Sequence, residues 1–186
     1  MLTHPYFRKS KPFGASAPFT CLYMTCNCGN YSIFLKMAAM KTIFDDTTRE
    51  QLIRRINTLN ENSRPQWGKM NVYQMLKHCT LWEDMMTGKT VYKRALIGRI
   101  FGKIALKGMV KDDSPLRRST PTIPELIITG NGDIAAEKAK WIAQLEDYAH
   151  FSDPDLMHPF FGKMMVEHIG YLVYKHSDHH LRQFNG

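Results

Sequence analysis

The sequence predicts an all-α chain built on a four-helix bundle that runs up-down-down-up. Three observations lead there. Apolar residues recur at helical rather than alternating spacing in four segments, and residues that cap helix starts stand ahead of the first three. The connection between the second and third segments, 44 residues from Lys89 to Gly132, is far longer than antiparallel neighbours need, so those two helices should run parallel.

Each element follows from its residues. Thr47 with Glu50 reads as a capping box ahead of Leu52, Ile53, Ile56 and Leu59, a first helix ending near Asn60. Asn71 with Gln74 repeats the signal, and Val72, Met75, Leu76, Cys79, Trp82 and Met86 form a stripe that lasts until Gly88. Asp133 opens a third stripe through Ile134, Trp141, Ile142, Leu145 and Tyr148, broken by Ser152, Asp153 and Pro154. The fourth helix begins after Pro159 and Gly162 and runs through Met165, Ile169, Leu172, Val173 and His176 to about Phe184. Only residues 123–129 could be extended, and Pro124 argues against a strand there. The long connection holds a glycine-interrupted, basic and apolar stretch over 95–110 and a proline-rich segment over 115–124.

Residues 1–39 show neither a helical nor a strand period and contain no acidic residue. Three readings of this leader stand: a reading frame extended upstream of Met40, a disordered or transit-like tail, or a metal-binding arm using Cys21, Cys26 and Cys28. The last is weakest, because Cys-x4-Cys-x-Cys lacks the paired spacing of ordinary zinc sites. The domain proper is expected over 40–186.

The net charge of +8 does not point to nucleic acid. Five of the 25 Lys and Arg precede Asp45, the first acid, which leaves 20 basic against 17 acidic residues in the remainder. No clustered basic face stands out, so a nucleic-acid partner is not expected. No run of 18 apolar residues exists, and no membrane partner is expected either. Three cysteines crowd into the leader and Cys79 lies inside a helical stripe, which is not a secreted disulfide framework and fits a reducing, cytoplasmic setting.

Two histidines four apart, His176 and His180, lie about 40° apart around a helix and about 6 Å apart along it, on the face that packs inward. Buried imidazoles need partners for their ring nitrogens, and a shared divalent ion is one solution. A third ligand must come from another helix, and His78 on the edge of the second stripe is the candidate. His78 stands seven residues, about 10 Å, from its helix start, and the pair is centred about 9 Å from its helix end. In the up-down-down-up order those two ends are neighbours, so the three rings reach one level. His179 faces another side of its helix and reads as a group behind the ligands, at the pocket or on the surface. Gln183 shares the face of His176 and His180, and reads equally as a group that orients a ligand or contacts substrate and as a polar helix end. His158 and Phe161 either edge the pocket or staple the helix entry.

The run Trp67-Gly68-Lys69-Met70-Asn71 leading to Gln74-Met75-Leu76-Lys77-His78-Cys79, with His158-Pro159-Phe160-Phe161-Gly162-Lys163 and Tyr174-Lys175-His176-Ser177-Asp178-His179-His180-Leu181-Arg182-Gln183-Phe184, resembles the DUF1569 branch of the DinB-like (DinB/YfiT-like) metalloenzymes. The resemblance covers about residues 40–186. It implies an up-down-down-up bundle holding a metal, often zinc or nickel, by one histidine of the second helix and a His-x3-His of the fourth, which map onto His78, His176 and His180. DinB-like relatives include S-transferases and isomerases that use bacillithiol, mycothiol or glutathione.

Three imidazoles without a fourth protein ligand leave a coordination position open, the pattern of catalytic zinc sites. The expectation is a metal-dependent enzyme that activates a low-molecular-weight thiol or water against a small electrophilic substrate, acting alone or as a homodimer. The alternative is a non-catalytic metal- or small-ligand-binding helical module. No general base is singled out among Glu83, Asp84, Glu167 and Asp178. Cys79 is expected to pack rather than react.

Overall fold

Asp45 starts the first helix: its carboxylate accepts the Thr48 amide at 2.7 Å in the computed structural model, which describes residues 40–152 and 156–186. Helix α1 therefore spans Asp46–Thr58. The box expected from Thr47 and Glu50 does not form, because Asp45 takes the capping role and Glu50 lies beside Arg54 on the exposed side. The readings of the leader, and of Asp153 and Pro154 as a helix breaker, fall outside the described residues.

Helix α2, Val72–Met86, opens on the expected box: Asn71 accepts the Gln74 amide and Gln74 accepts the Asn71 amide. Helix α4, Ile134–Asp147, is capped by Asp133 and followed by a 3-10 turn, Tyr148–His150. Helix α5, Val166–Gln183, closes the chain. Its inward stripe begins at Ile169, since Met165 is the cap and its side chain is exposed.

Between α2 and α4 lies an unforeseen helix, α3, Leu96–Met109. Its glycines, which lower helix propensity by about 1 kcal/mol each relative to alanine, serve close approach. A Cβ on Gly98 would stand 2.5 Å from the Phe160 carbonyl oxygen, and one on Gly102 only 2.1 Å. Phe160 belongs to the turn of a small hairpin, β1 Met157–His158 and β2 Gly162–Lys163, which pair antiparallel. This ladder and a 3-10 turn at Pro124–Leu126 complete the ordered elements among the described residues. Helix α3 is fastened at both ends: Ala95 N–H donates to the Pro159 carbonyl, and the Lys175 ammonium of α5 donates to the carbonyls of Met109 and Asp112.

The chain is mostly helical, and cross-links show how the helices run. Lys77 pairs with Glu137, Asp84 with Lys140 and Lys89, just past the end of α2, with Asp147, numbers that rise together. The Lys138 ammonium reaches the carbonyls of Asn57 and Leu59, which sets the end of α1 beside the start of α4. Ile43 bonds Gly170 and Arg55 pairs with Asp178, so α1 and α5 share a sense. Between these helices Leu52, Ile56, Met75, Leu76, Trp141, Leu145 and Ile169 are buried, each aliphatic side chain contributing about 1.5–3 kcal/mol of burial.

Candidate metal centre

The helical repeat brings His176 and His180 to one face of α5, and His78 of α2 meets them there. Each histidine offers a ring nitrogen, and the three atoms lie within 4.8 Å of one another. All three side chains are buried. His78 Nε2 stands 3.2 Å from His176 Nε2.

Hydrogen bonds assign the protons. His78 Nδ1 lies 2.8 Å from the Leu126 carbonyl, which can only accept, so Nδ1 carries the proton and Nε2 a lone pair. Gln183 Nε2 donates to the Trp67 carbonyl at 2.8 Å, which leaves its Oε1, 3.0 Å from His180 Nδ1, to accept from that ring. His180 Nε2 is thereby a lone pair as well. His176 is held differently: its ring stacks on the Trp82 indole, centroids 3.9 Å apart and 12° from parallel, and its Nδ1 is buried without a hydrogen-bond partner. Facing the His78 lone pair, His176 Nε2 must donate when the rings are alone.

Electrostatics keeps the cluster uncharged. Burial pushes the pKa of His78 down, despite the opposing bond to Leu126. Burial, reinforced by the neighbouring rings, drives His176 and His180 well below the ordinary histidine value. A neutral imidazole is the form that binds a metal. The fit is also metric: two nitrogens on a tetrahedral ion at about 2.0–2.1 Å stand roughly 3.3 Å apart, close to the 3.2 Å between His78 and His176. The three histidines are thus placed so that they could hold a metal ion.

A family model described as "Protein of unknown function (DUF1569)" matches residues 33–186, most of the chain. The chain belongs to the DUF1569 family. The match reaches a few residues ahead of Met40, into the leader. No curated protein and no solved structure matches it.

Around the triad of this DUF1569 chain the other anticipated residues take distinct places. Gln183 is buried and bonded to His180. His179 is only half-buried, with its ring edge-on to Trp67 at 5.5 Å, and stands outside the cluster. His158 is buried in the hairpin, where its Nδ1 accepts the amides of Phe160 and Phe161. Burial, with Arg94 nearby, lowers its pKa to about 4. Of the carboxylates, Glu83 bonds Tyr148, Asp84 pairs with Lys140, and Asp178 pairs with Arg55 and Arg182, while Glu167 lies exposed in the first turn of α5. Cys79 is fully buried against Met75, and burial raises its thiol pKa well above the ordinary value.

Sequence reasoning missed two groups that shape the centre. Trp82, counted as a core position, lies one turn beyond His78 and stacks on His176; the i, i+4 spacing was the available signal. The Leu126 carbonyl belongs to the 3-10 turn in the segment weighed as a strand and argued against because of Pro124. A backbone acceptor has no side-chain signature, so nothing in the residue types announced it.

Proposed function

We propose that this DUF1569 protein is a metal-dependent enzyme of the DinB-like type, with a divalent ion, zinc before nickel, held by His78, His176 and His180. The observation that carries the reading is the proton assignment. Leu126 and Gln183 each occupy the Nδ1 of a ring, and the Nε2 lone pairs of His78 and His180 are left for a common centre. Among the described residues no carboxylate or thiolate joins the three, so a coordination position remains for a small molecule. Such an ion would lower the pKa of a water or a low-molecular-weight thiol bound to it toward neutrality, the activation that attack on a small electrophile requires.

The chain's own part is to keep the rings neutral, oriented and dry. Trp82 covers one face of His176, and the two hydrogen bonds stop His78 and His180 from rotating. We also read α1, α2, α4 and α5 as an up-down-down-up bundle, supported by the shared sense of α2 with α4 and of α1 with α5. Among the described residues no helix is long and apolar enough to cross a membrane. With Cys79 as a free, buried thiol, a cytoplasmic setting is the proposed location.

Elemental analysis of protein purified without an affinity tag tests the metal. A stoichiometric divalent ion in the native protein, lost in His176→Ala, is expected. No ion, or an unchanged content in the variant, ends the proposal. Turnover of an electrophile with bacillithiol, mycothiol and glutathione, lost on chelation and restored by zinc, tests the chemistry. A second reading, a non-catalytic module that only holds a small ligand, draws on one observation: two surface clefts, one beside Arg64 and Asn131 and the other beside Tyr92 and Met157, lie away from the histidines. Metal-dependent product formation rules that reading out.

A further inference from the structure

Over its first turns helix α3 turns its large apolar residues to solvent. Gly98 and Gly102 face inward against the hairpin, and the large apolar residues from Leu96 to Ile104 face out, while Leu106 and Met109 near its end pack into the core. Leu96, Ile97, Ile100, Phe101 and Ile104 are between 53% and 77% exposed, and they fall within one arc of about 140° around the helix. Contiguous exposed apolar surface of this kind marks an interaction site. Beside the arc run Arg99, Lys103 and Lys107, all exposed, at the spacing of one helical row.

The charge tells which partner fits. From residue 85 to residue 111 the chain carries seven Lys or Arg and no Asp or Glu. The domain-wide balance hides this cluster, because the acids lie on other elements. A second copy of the chain would bring basic row toward basic row across a two-fold axis, which opposes pairing. The leader is no better suited, since residues 1–39 also hold basic residues and no acid. Nucleic acid would meet the cations but leave the aliphatic arc in water. An anionic lipid surface satisfies both halves: the arc enters the headgroup boundary, and the long basic side chains reach the phosphates and carboxylates beside it.

We propose that α3 is an interfacial docking helix that seats this protein on membrane surfaces bearing anionic lipids. Docking of this kind requires no spanning segment. The two fastenings of α3, to the hairpin and to Lys175, hold the arc outward before any membrane is met, so docking orders no new helix.

Co-sedimentation of the full chain with vesicles of phosphatidylcholine, with and without phosphatidylserine, tests this. Binding to the phosphatidylserine vesicles that weakens with salt is expected, with little binding to phosphatidylcholine alone. The pair Ile100→Asp and Ile104→Asp should abolish it. The triple variant Arg99→Gln, Lys103→Gln, Lys107→Gln should weaken it about fivefold per charge, on the order of a hundredfold in all. These side chains stand in solvent, so both variants should keep the wild-type circular dichroism and melting temperature. Wild-type protein that stays in the supernatant with phosphatidylserine vesicles overturns the proposal, as does binding unchanged in either variant. A wild-type dimer that the isoleucine pair converts to monomer, without vesicle binding, overturns it in favour of self-association.

Discussion

Gln183 joins two parts of the centre through one amide, accepting from His180 and donating to the Trp67 carbonyl. Gln183→Leu keeps the volume and removes both bonds. It leaves the buried His180 N–H and the part-buried Trp67 carbonyl unpaired, so urea unfolding should show a loss of about 1–3 kcal/mol. Chelator competition should show zinc affinity lower by about 10–100-fold, and unchanged affinity would remove Gln183 from any orienting role. His176 offers a second residue-scale outcome. Its Nε2 proton, donated to His78 in the metal-free chain, must move to Nδ1 for Nε2 to become a ligand. Nitrogen-15 spectra should therefore report a change of tautomer at His176 on adding zinc, and none at His78 or His180. The triad itself was legible in the sequence because four-residue spacing and helix depth are properties of residue order. What anchors it was less so: Leu126 contributes a carbonyl, and Trp82 looks like any core aromatic in its stripe.

At the scale of elements, α3 separates propensity from packing. Gly108 faces open space and Gly102 faces the Phe160 carbonyl at 2.1 Å from a would-be Cβ. Gly108→Ala should stabilise the chain by about 0.5–1 kcal/mol, the ordinary helical preference. Gly102→Ala should do the reverse and lower the melting temperature, since the hairpin backbone has to move. Equal effects of the two would mean that α3 does not rest on the hairpin as described. Four helices could be read because their stripes face a core, and two of them also open on strong side-chain caps, Asn71 and Asp133. The fifth was obscured by those same glycines and by a stripe that faces solvent. The first cap was misplaced by two residues because Asp45, Thr47 and Thr48 are all capping types, and only geometry decides among them.

For the whole molecule, two buried groups set opposing dependences on pH. Glu83, fully buried beneath Tyr148 and Trp141, has its pKa raised by burial to about 8, so the folded chain holds a proton there that the unfolded chain releases above about 4.5. That contribution is present at low pH and is lost as the pH rises toward 8. His158 acts in the other sense: its folded pKa of about 4 lies below the unfolded 6.5, so its contribution is present above 6.5 and is lost as the pH falls toward 4. Above 6.5 the slope from Glu83 remains. Urea midpoints of metal-free protein should fall between pH 6.5 and 8, and Glu83→Gln should flatten that fall; an equally steep decline in the variant would place the titration elsewhere.

The meeting of His78 with His176 spans 98 positions of chain. Closing a loop of that length costs about 4 kcal/mol of chain entropy, which folding must supply before the rings can face each other. An ion gripping both ends would behave as a removable cross-link between the early and late parts of the chain. Its clearest mark would then be kinetic: unfolding slowed when it is present and quickened by a chelator, with refolding little changed, because the ligands come together only after most of the chain is in place.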